Sequence, residues 1–302
     1  MSPYAAVRPL HRLFLCVIAS CTIVTITLLC RENVSEQKSA VPRLLSNDHE
    51  DQSSRRHGNA REVGEEKNTP LTSPPPPILN WHNFFDFIEE AAGCSNLEML
   101  GGIMVGEVRD GDKAVCLDNG VAPTPGACLV LSFGINNEWS FDDAMEEYGC
   151  RVYAFDPTMG QPTHLRGRDI HFHPWGLGAV NGVIRGIPVK TYRDILKNIH
   201  EEESVIDYLK IDIEGFELDF FSNVLDEHVD LLANVKQIVM EIHPWESTTF
   251  RDEIWSQIRR LRSLHFAQVY SQPNYLPFNL REFENRTVSC CYEMLWVNEK
   301  FR

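Results

Sequence analysis

Four apolar runs constrain this chain more than any other feature: CLVLSF (128–133), RVYAF (151–155), the stretch 205–213 around YLKIDI, and VKQIVMEI (235–242). Between and beyond them, apolar residues recur at helical spacing. Thr191-x-x-Asp194 opens one such segment, with Tyr192, Ile195, Leu196 and Ile199 on a single face. Another starts at Thr249 and carries Phe250, Ile254, Ile258 and Leu261. Strands apolar on both faces, alternating with helices, belong to a parallel sheet covered on each side. The sequence therefore predicts an α/β, doubly wound, Rossmann-like sheet, mostly parallel, with a short third strand at 170–173. Runs at 266–271 and 288–297 are expected to close it, including an antiparallel closing strand. Ser140-x-x-Asp143 reads as a capping box for a helix reaching Tyr148, and Trp81, Phe84, Phe85, Ile88 and Ala92 mark an N-terminal helix.

Upstream the pattern changes. Residues 13–30, LFLCVIASCTIVTITLLC, are uncharged and apolar over a length that can span a bilayer. Leu28-Leu29-Cys30 is a poor cleavage site, which favours an uncleaved signal-anchor over a cleaved signal peptide. Residues 31–78 are polar, lack apolar period and end in the proline run 74–77, the composition of a disordered stem. The expected plan is a short cytoplasmic tail (1–12), a transmembrane signal-anchor (13–30), the stem (31–78) and a folded domain (79–302). Six cysteines lie in that domain: Cys94, Cys116, Cys128, Cys150, Cys290 and Cys291. An even number behind an anchor suggests disulfides in an oxidising lumen, with 15 pairings open. The sequons at Asn33 and Asn285 agree with a single-pass type II protein whose domain is lumenal, in the endoplasmic reticulum or Golgi. A formal charge of −15 without any basic stripe excludes nucleic acid as a partner.

In a doubly wound sheet, ligands sit beyond the carboxyl ends of the strands, at the switch in strand order. The first strand ends in Ser132-Phe-Gly134-Ile-Asn136-Asn137, where Gly and Asn tolerate positive φ and let the backbone approach a ligand. The second ends in Asp156, 22 residues beyond Gly134, where an acid can hold ribose hydroxyls. The fourth ends in Asp212 and Glu214, the fifth in Glu241 and His243. Polar groups gather at the strand ends and are nearly absent from the bodies.

The stretches 128–157, YLKIDIEGFELDFFSNVL (208–225), QIVMEIHPW (237–245) and SCCYEMLWVN (289–298) resemble class I S-adenosylmethionine methyltransferases. Within that fold they are similar to the FkbM-like branch and the animal methyltransferase-like protein 24 family, with Lys-x-Asp-x-Glu-Gly-x-Glu the most specific element. The resemblance covers roughly residues 90–300. It implies S-adenosyl-L-methionine as cofactor, held by Ser132, Gly134, Asn136, Asp156, His173 and Trp175. It places Asp212 and Glu214 at the transferred methyl, with Glu241 and His243 flanking.

Methyl transfer to a hydroxyl is an in-line displacement that needs an aligned acceptor and a base. His243, which titrates near neutrality when unperturbed, and Asp212 are the candidates, with Glu214 beside them. The acceptor is a hydroxyl-bearing glycan, small molecule or protein. No metal is required, but Asp212, Glu214, Glu241 and His243 could together hold a divalent cation. A competing plan is a Golgi-type glycosyltransferase, in which Asp212-Ile-Glu214 imitates a metal-binding Asp-x-Asp motif for a nucleotide-sugar. A third is a methyltransferase fold kept for binding alone, since Ser132 and Asn136 replace acidic and glycine residues of the usual first motif.

Overall fold

A computed structural model describes residues 80–184, 186–244 and 248–302. The anchor at 13–30, the stem and the Asn33 sequon lie outside the described residues. Among the described residues, no helix is long and apolar enough to cross a membrane.

The chain opens with helix α1 (Trp81–Glu89) and the hairpin β1 (Leu97–Val105) and β2 (Val108–Cys116). Then come β3 (Cys128–Phe133), α2 (Ser140–Tyr148), β4 (Cys150–Phe155), β5 (His164–Arg166) and β6 (Ile170–His173). A small sheet of β7 (Gly176–Leu177), β8 (Gly182–Ile184) and β9 (Ile187–Lys190) leads into α3 (Tyr192–Ile199). The second half holds β10 (Ile206–Ile211), α4 (Glu217–Phe221), β11 (Val235–Ile242), α5 (Thr248–Ser263) and β12 (Phe266–Pro273). The hairpin β13 (Leu280–Phe283) and β14 (Arg286–Ser289) precedes β15 (Tyr292–Asn298).

The main sheet runs β12-β15-β11-β10-β3-β4-β6-β5. Strands β11, β10, β3, β4 and β6 are parallel, while β15 inserts antiparallel between β11 and β12. This is the doubly wound, mostly parallel sheet with an antiparallel closing strand that the apolar runs predict. From β3 the chain winds outward through β4 and β6, then returns to β10 on the other side of β3. The switch point therefore lies between β3 and β10.

Side-chain alternation divides the core between the two faces of the sheet. Leu129, Leu131 and Phe133 of β3 join Leu209 and Ile211 of β10 against α1, α3, α4 and α5. Val130 and Tyr208 point the other way, toward Val115 of β2 and Phe141 and Met145 of α2. On that second face, the Tyr208 hydroxyl donates to Ala114 O (2.6 Å), and Gln237 exchanges hydrogen bonds with both main-chain groups of Cys116. These buried polar bonds fix the β1–β2 hairpin on the sheet.

Sequence periodicity misses that hairpin because Gly101 and Gly102 interrupt its first strand and Arg109, Asp110, Asp112 and Lys113 surround Gly111 in its second. Gly101 is required there: a Cβ would lie 2.5 Å from the Phe141 backbone. The Ser140-x-x-Asp143 capping box does not form. Trp139 occupies the N-cap position without a side-chain bond, the Ser140 hydroxyl accepts the Gly102 N–H, and Asp143 pairs with Arg166. Nearby tertiary partners outcompete the local cap. Thr191 does cap α3, accepting the Asp194 N–H at 3.2 Å. The run at 288–297 splits in two, its first two residues ending β14 and the rest from Tyr292 forming β15.

Of the 15 pairings open to six cysteines, the structure contains one: Cys94–Cys116, Cys128–Cys150 and Cys290–Cys291. Cys128 and Cys150 are register partners at the start of neighbouring parallel strands.

Candidate active site

The turn after β3 is built around close backbone approach. Gly134 has φ +82, and a Cβ there would lie 1.6 Å from the Asp212 carbonyl oxygen beyond β10. Asn136 and Asn137 follow in the left-handed region, at φ 48 and 59. The turn is held from outside by Asp156, which is buried. Its Oδ2 accepts the N–H groups of Ile135 (2.9 Å) and Asn136 (2.7 Å), and its Oδ1 accepts Thr158 N and Oγ1. All four acceptor positions of that carboxylate are filled, so Asp156 acts on the shape of the turn. Lys210 ties the turn from below, donating to Gly134 O (2.5 Å) and Phe133 O (3.3 Å). Ser132 is sealed inside the sheet with no exposed surface.

Aromatic rings continue from these strand ends. Phe133 stacks on Phe155 (4.5 Å), Phe155 on His173 (5.6 Å), and His173 on Trp175 (4.4 Å). Burial, with a smaller contribution from His171, pushes the His173 pKa down to about 4, so the ring is neutral. Its Nδ1 is buried without a hydrogen-bond partner. A shallow, open hollow lies beside Trp175, lined also by Asn181, Lys190, Asp194 and Asn198, and takes no side chain from the Gly134 turn or the Asp212 region. The ring stack, with Lys190 Nζ 4.6 Å from the Trp175 centroid, forms the β6 edge where the adenine end of a nucleoside cofactor would fit.

On the other side of Gly134 lies a charged cluster. The alternation that buries Leu209 and Ile211 on one face sends Lys210 and Asp212 to the face covered by the β1–β2 hairpin. There Lys113 of β2 meets Glu293 Oε2 at 2.9 Å and Asp212 Oδ2 at 3.4 Å. Glu293 is the register partner of Glu241 across β15 and β11. Burial opposes ionisation of Asp212, but Lys113, then Lys210 and His243, overcome it and hold its pKa down to about 2. Glu241 goes the other way: burial, then the Asp212 charge, push it up to about 8.

Glu214 sits at φ 54 and Gly215 at φ 94, two left-handed residues that turn the Glu214 carboxylate back to 3.7 Å from His243 Nε2. Glu217, fully buried at the start of α4, accepts the Gly215 N–H and bonds His243 Nδ1, each at 3.1 Å. Burial works against charge on His243. The Glu217 hydrogen bond and the charges of Glu217, Glu241 and Glu214 nevertheless raise its pKa to about 10. Both ring nitrogens therefore face carboxylates, Nδ1 within hydrogen-bond distance of Glu217 and Nε2 at the longer 3.7 Å from Glu214.

The structure thus brings Gly134, Asn136, Asp212, Glu214, Glu241 and His243 to the switch point, with His173 and Trp175 along the β6 edge. Sequence reading passed over Lys113 and Glu293 and gave Glu217 no part in the site. The last carries a local signal, a second acid three residues after Glu214 in the same run. Lys113 carries none, since it arrives on the unpredicted hairpin.

Residues 66–298 match Methyltransf_22, a methyltransferase-domain family. Two relatives share 25% identity with the chain, both named probable methyltransferase-like protein 24. The Rattus norvegicus protein aligns over 68% of this chain and 65% of its own length. The Homo sapiens protein aligns over 58% of this chain and 51% of its own length. The chain thus spans between half and two thirds of these relatives. Among solved structures it is similar to Sp1610 of Streptococcus pneumoniae in complex with S-adenosyl-L-methionine, at TM-score 0.33 and 12% identity over 58% of this chain and 67% of that one. A SAM-dependent methyltransferase from Agrobacterium tumefaciens gives TM-score 0.34 and 11% identity, over 60% and 58%. At such TM-scores the likeness carries no weight for the chemistry.

Proposed function

The chain belongs to the Methyltransf_22 family of methyltransferase domains, and from that premise we propose that it transfers a methyl group from S-adenosyl-L-methionine to a hydroxyl-bearing acceptor. The observation that carries this reading is the meeting of the Gly134 turn and the Asp212 cluster at the switch point, with the His173–Trp175 stack along the neighbouring β6 edge. When bound, the cofactor supplies a methyl group on a cationic sulfur, an electrophile that needs alignment more than activation.

The protein's own residues divide the remaining work. The Gly134–Asn137 turn, clamped by Asp156 and Lys210, holds the amino-acid end of the donor close to the backbone. The stacked His173 and Trp175 rings flank the adenine. Asp212, ionised beside that turn, accepts the hydrogen bond of the acceptor hydroxyl and aims its oxygen at the methyl group. Glu241, whose pKa is raised to about 8, takes the proton in its ionised form as the hydroxyl oxygen attacks. His243 does not serve as base, because both nitrogens already face carboxylates; it orients Glu214. Lys113 and Lys210 keep the acidic group ionised against its burial.

The Cys94–Cys116 and Cys128–Cys150 bridges support a lumenal setting behind the 13–30 anchor. The exposed Asn285, at the tip of the β13–β14 hairpin, supports glycan attachment there. Isothermal titration with S-adenosylhomocysteine tests the main reading. Saturable binding to wild type and its loss in Trp175→Ala are expected. A response to a nucleotide-sugar with manganese, and none to S-adenosylhomocysteine, would refute it in favour of glycosyl transfer.

A further inference from the structure

The charged cluster holds more acid than the reaction above requires. Asp212, Glu214, Glu217, Glu241 and Glu293 stand against Lys113 and Lys210, an excess of three formal negative charges if His243 is neutral. One donor atom from each of Asp212, Glu214 and His243 lies within 4.8 Å of the other two. The His243 ring is more than nine-tenths buried and cannot turn away: Nδ1 is pinned by Glu217 at 3.1 Å, which aims Nε2 into the gap between Asp212 and Glu214. The second oxygen of fully buried Glu217 has no hydrogen-bond partner. A buried carboxylate on one imidazole nitrogen, with the other nitrogen facing two carboxylates, is the arrangement that raises ligand basicity around a bound cation.

We propose that Asp212, Glu214 and His243 form a divalent-cation centre at the acceptor side of the site, with Glu217 as its orienting partner. The centre rests on the methyltransferase reading for what it does, which is to hold the acceptor oxygen beside Asp212. Coordination shells of about 2.1 Å radius place ligands about 3 Å apart. The Glu214 side chain, 78% exposed, is free to rotate inward by the remaining distance. The donors are one nitrogen and carboxylate oxygens, because the Cys291 sulfur nearby is bonded to Cys290. Such a hard set suits Mn2+ better than a thiophilic ion.

The test uses the purified full-length protein, stripped with chelator and titrated with MnCl2 while electron paramagnetic resonance follows free Mn2+. One ion per chain is expected, with affinity falling at least tenfold in His243→Ala and in Glu214→Gln. Glu217→Gln should weaken binding by roughly 10–100-fold, the usual consequence of losing an orienting carboxylate. Glu214→Gln keeps the test decisive if His243→Ala fails to fold, since that side chain is exposed. No saturation below about 1 mM, weaker than extracellular cation modules, would overturn the centre, as would binding equal to wild type in both variants. S-Adenosylhomocysteine binding in chelator separates the two readings. If it persists while Mn2+ does not bind, only the cation centre falls; if Mn2+ binds and S-adenosylhomocysteine does not, only the methyltransferase reading falls.

Discussion

Asp142 offers a quantitative check on the packing behind the site. It lies in the first turn of α2, 1% exposed, and its Oδ1 has no hydrogen-bond partner. Burial raises its pKa from 3.8 to about 6, with the Lys210 charge pulling the other way. An acid whose folded pKa is raised binds more protons in the native state than in the unfolded one. Stability therefore falls as pH rises from about 4 to about 6, then stays low by a constant amount. The shift is about two units, and at about 1.4 kcal/mol per unit the charged carboxylate costs on the order of 3 kcal/mol at neutrality. Asp142→Asn mimics the neutral acid in shape and removes the titration. Relative to wild type, the variant should gain almost nothing at pH 4 and about 3 kcal/mol at pH 7. At 2–4 °C per kcal/mol for a domain of this size, that is roughly 6–12 °C in Tm. Urea denaturation of both proteins across pH 4–8 measures the difference, which cancels the titration of every other group. Parallel curves, with no growth of the gap through pH 6, would refute the reasoning.

Gly134→Ala forces a side chain into the left-handed region, at about 1–2 kcal/mol, and drives its Cβ into the Asp212 carbonyl. Lower Tm and at least tenfold weaker S-adenosylhomocysteine binding are expected by calorimetry; an unchanged affinity would show that the turn does not carry the donor. Asp212→Asn should abolish methyl transfer, and it should also cost stability, because Lys113 and Lys210 lose a carboxylate at 3.4 and 3.9 Å. The expected loss is roughly 2–3 kcal/mol, below the 3–5 kcal/mol of a fully buried pair, and denaturant titration reads it. Cys94–Cys116 and Cys128–Cys150 each close a separation of 22 residues. Chain entropy then assigns each about 3 kcal/mol, so Cys-to-Ser pairs should unfold at correspondingly lower denaturant, and equal midpoints would contradict the assignment.

The sequence by itself determined the sheet and the end of it that matters. Runs such as CLVLSF and VKQIVMEI are buried on both faces, and burial at period two or 3.6 is a local property that survives in any fold accommodating it. The placing of Gly134, Asp212 and His243 at strand ends follows from the same local pattern. What each group does there was decided by tertiary contact. Asp156 looks like a free ribose ligand until the Ile135 and Asn136 amides are seen to fill it. His243 looks like a base until Glu217 and Glu214 are found on its two nitrogens. Lys113 reaches Glu293 across 180 residues of chain, on a hairpin whose glycines erase its periodicity. Charge acts through space at a few ångströms, whatever the distance along the chain, so ionisation and pairing in this site became legible only once the fold had set those distances.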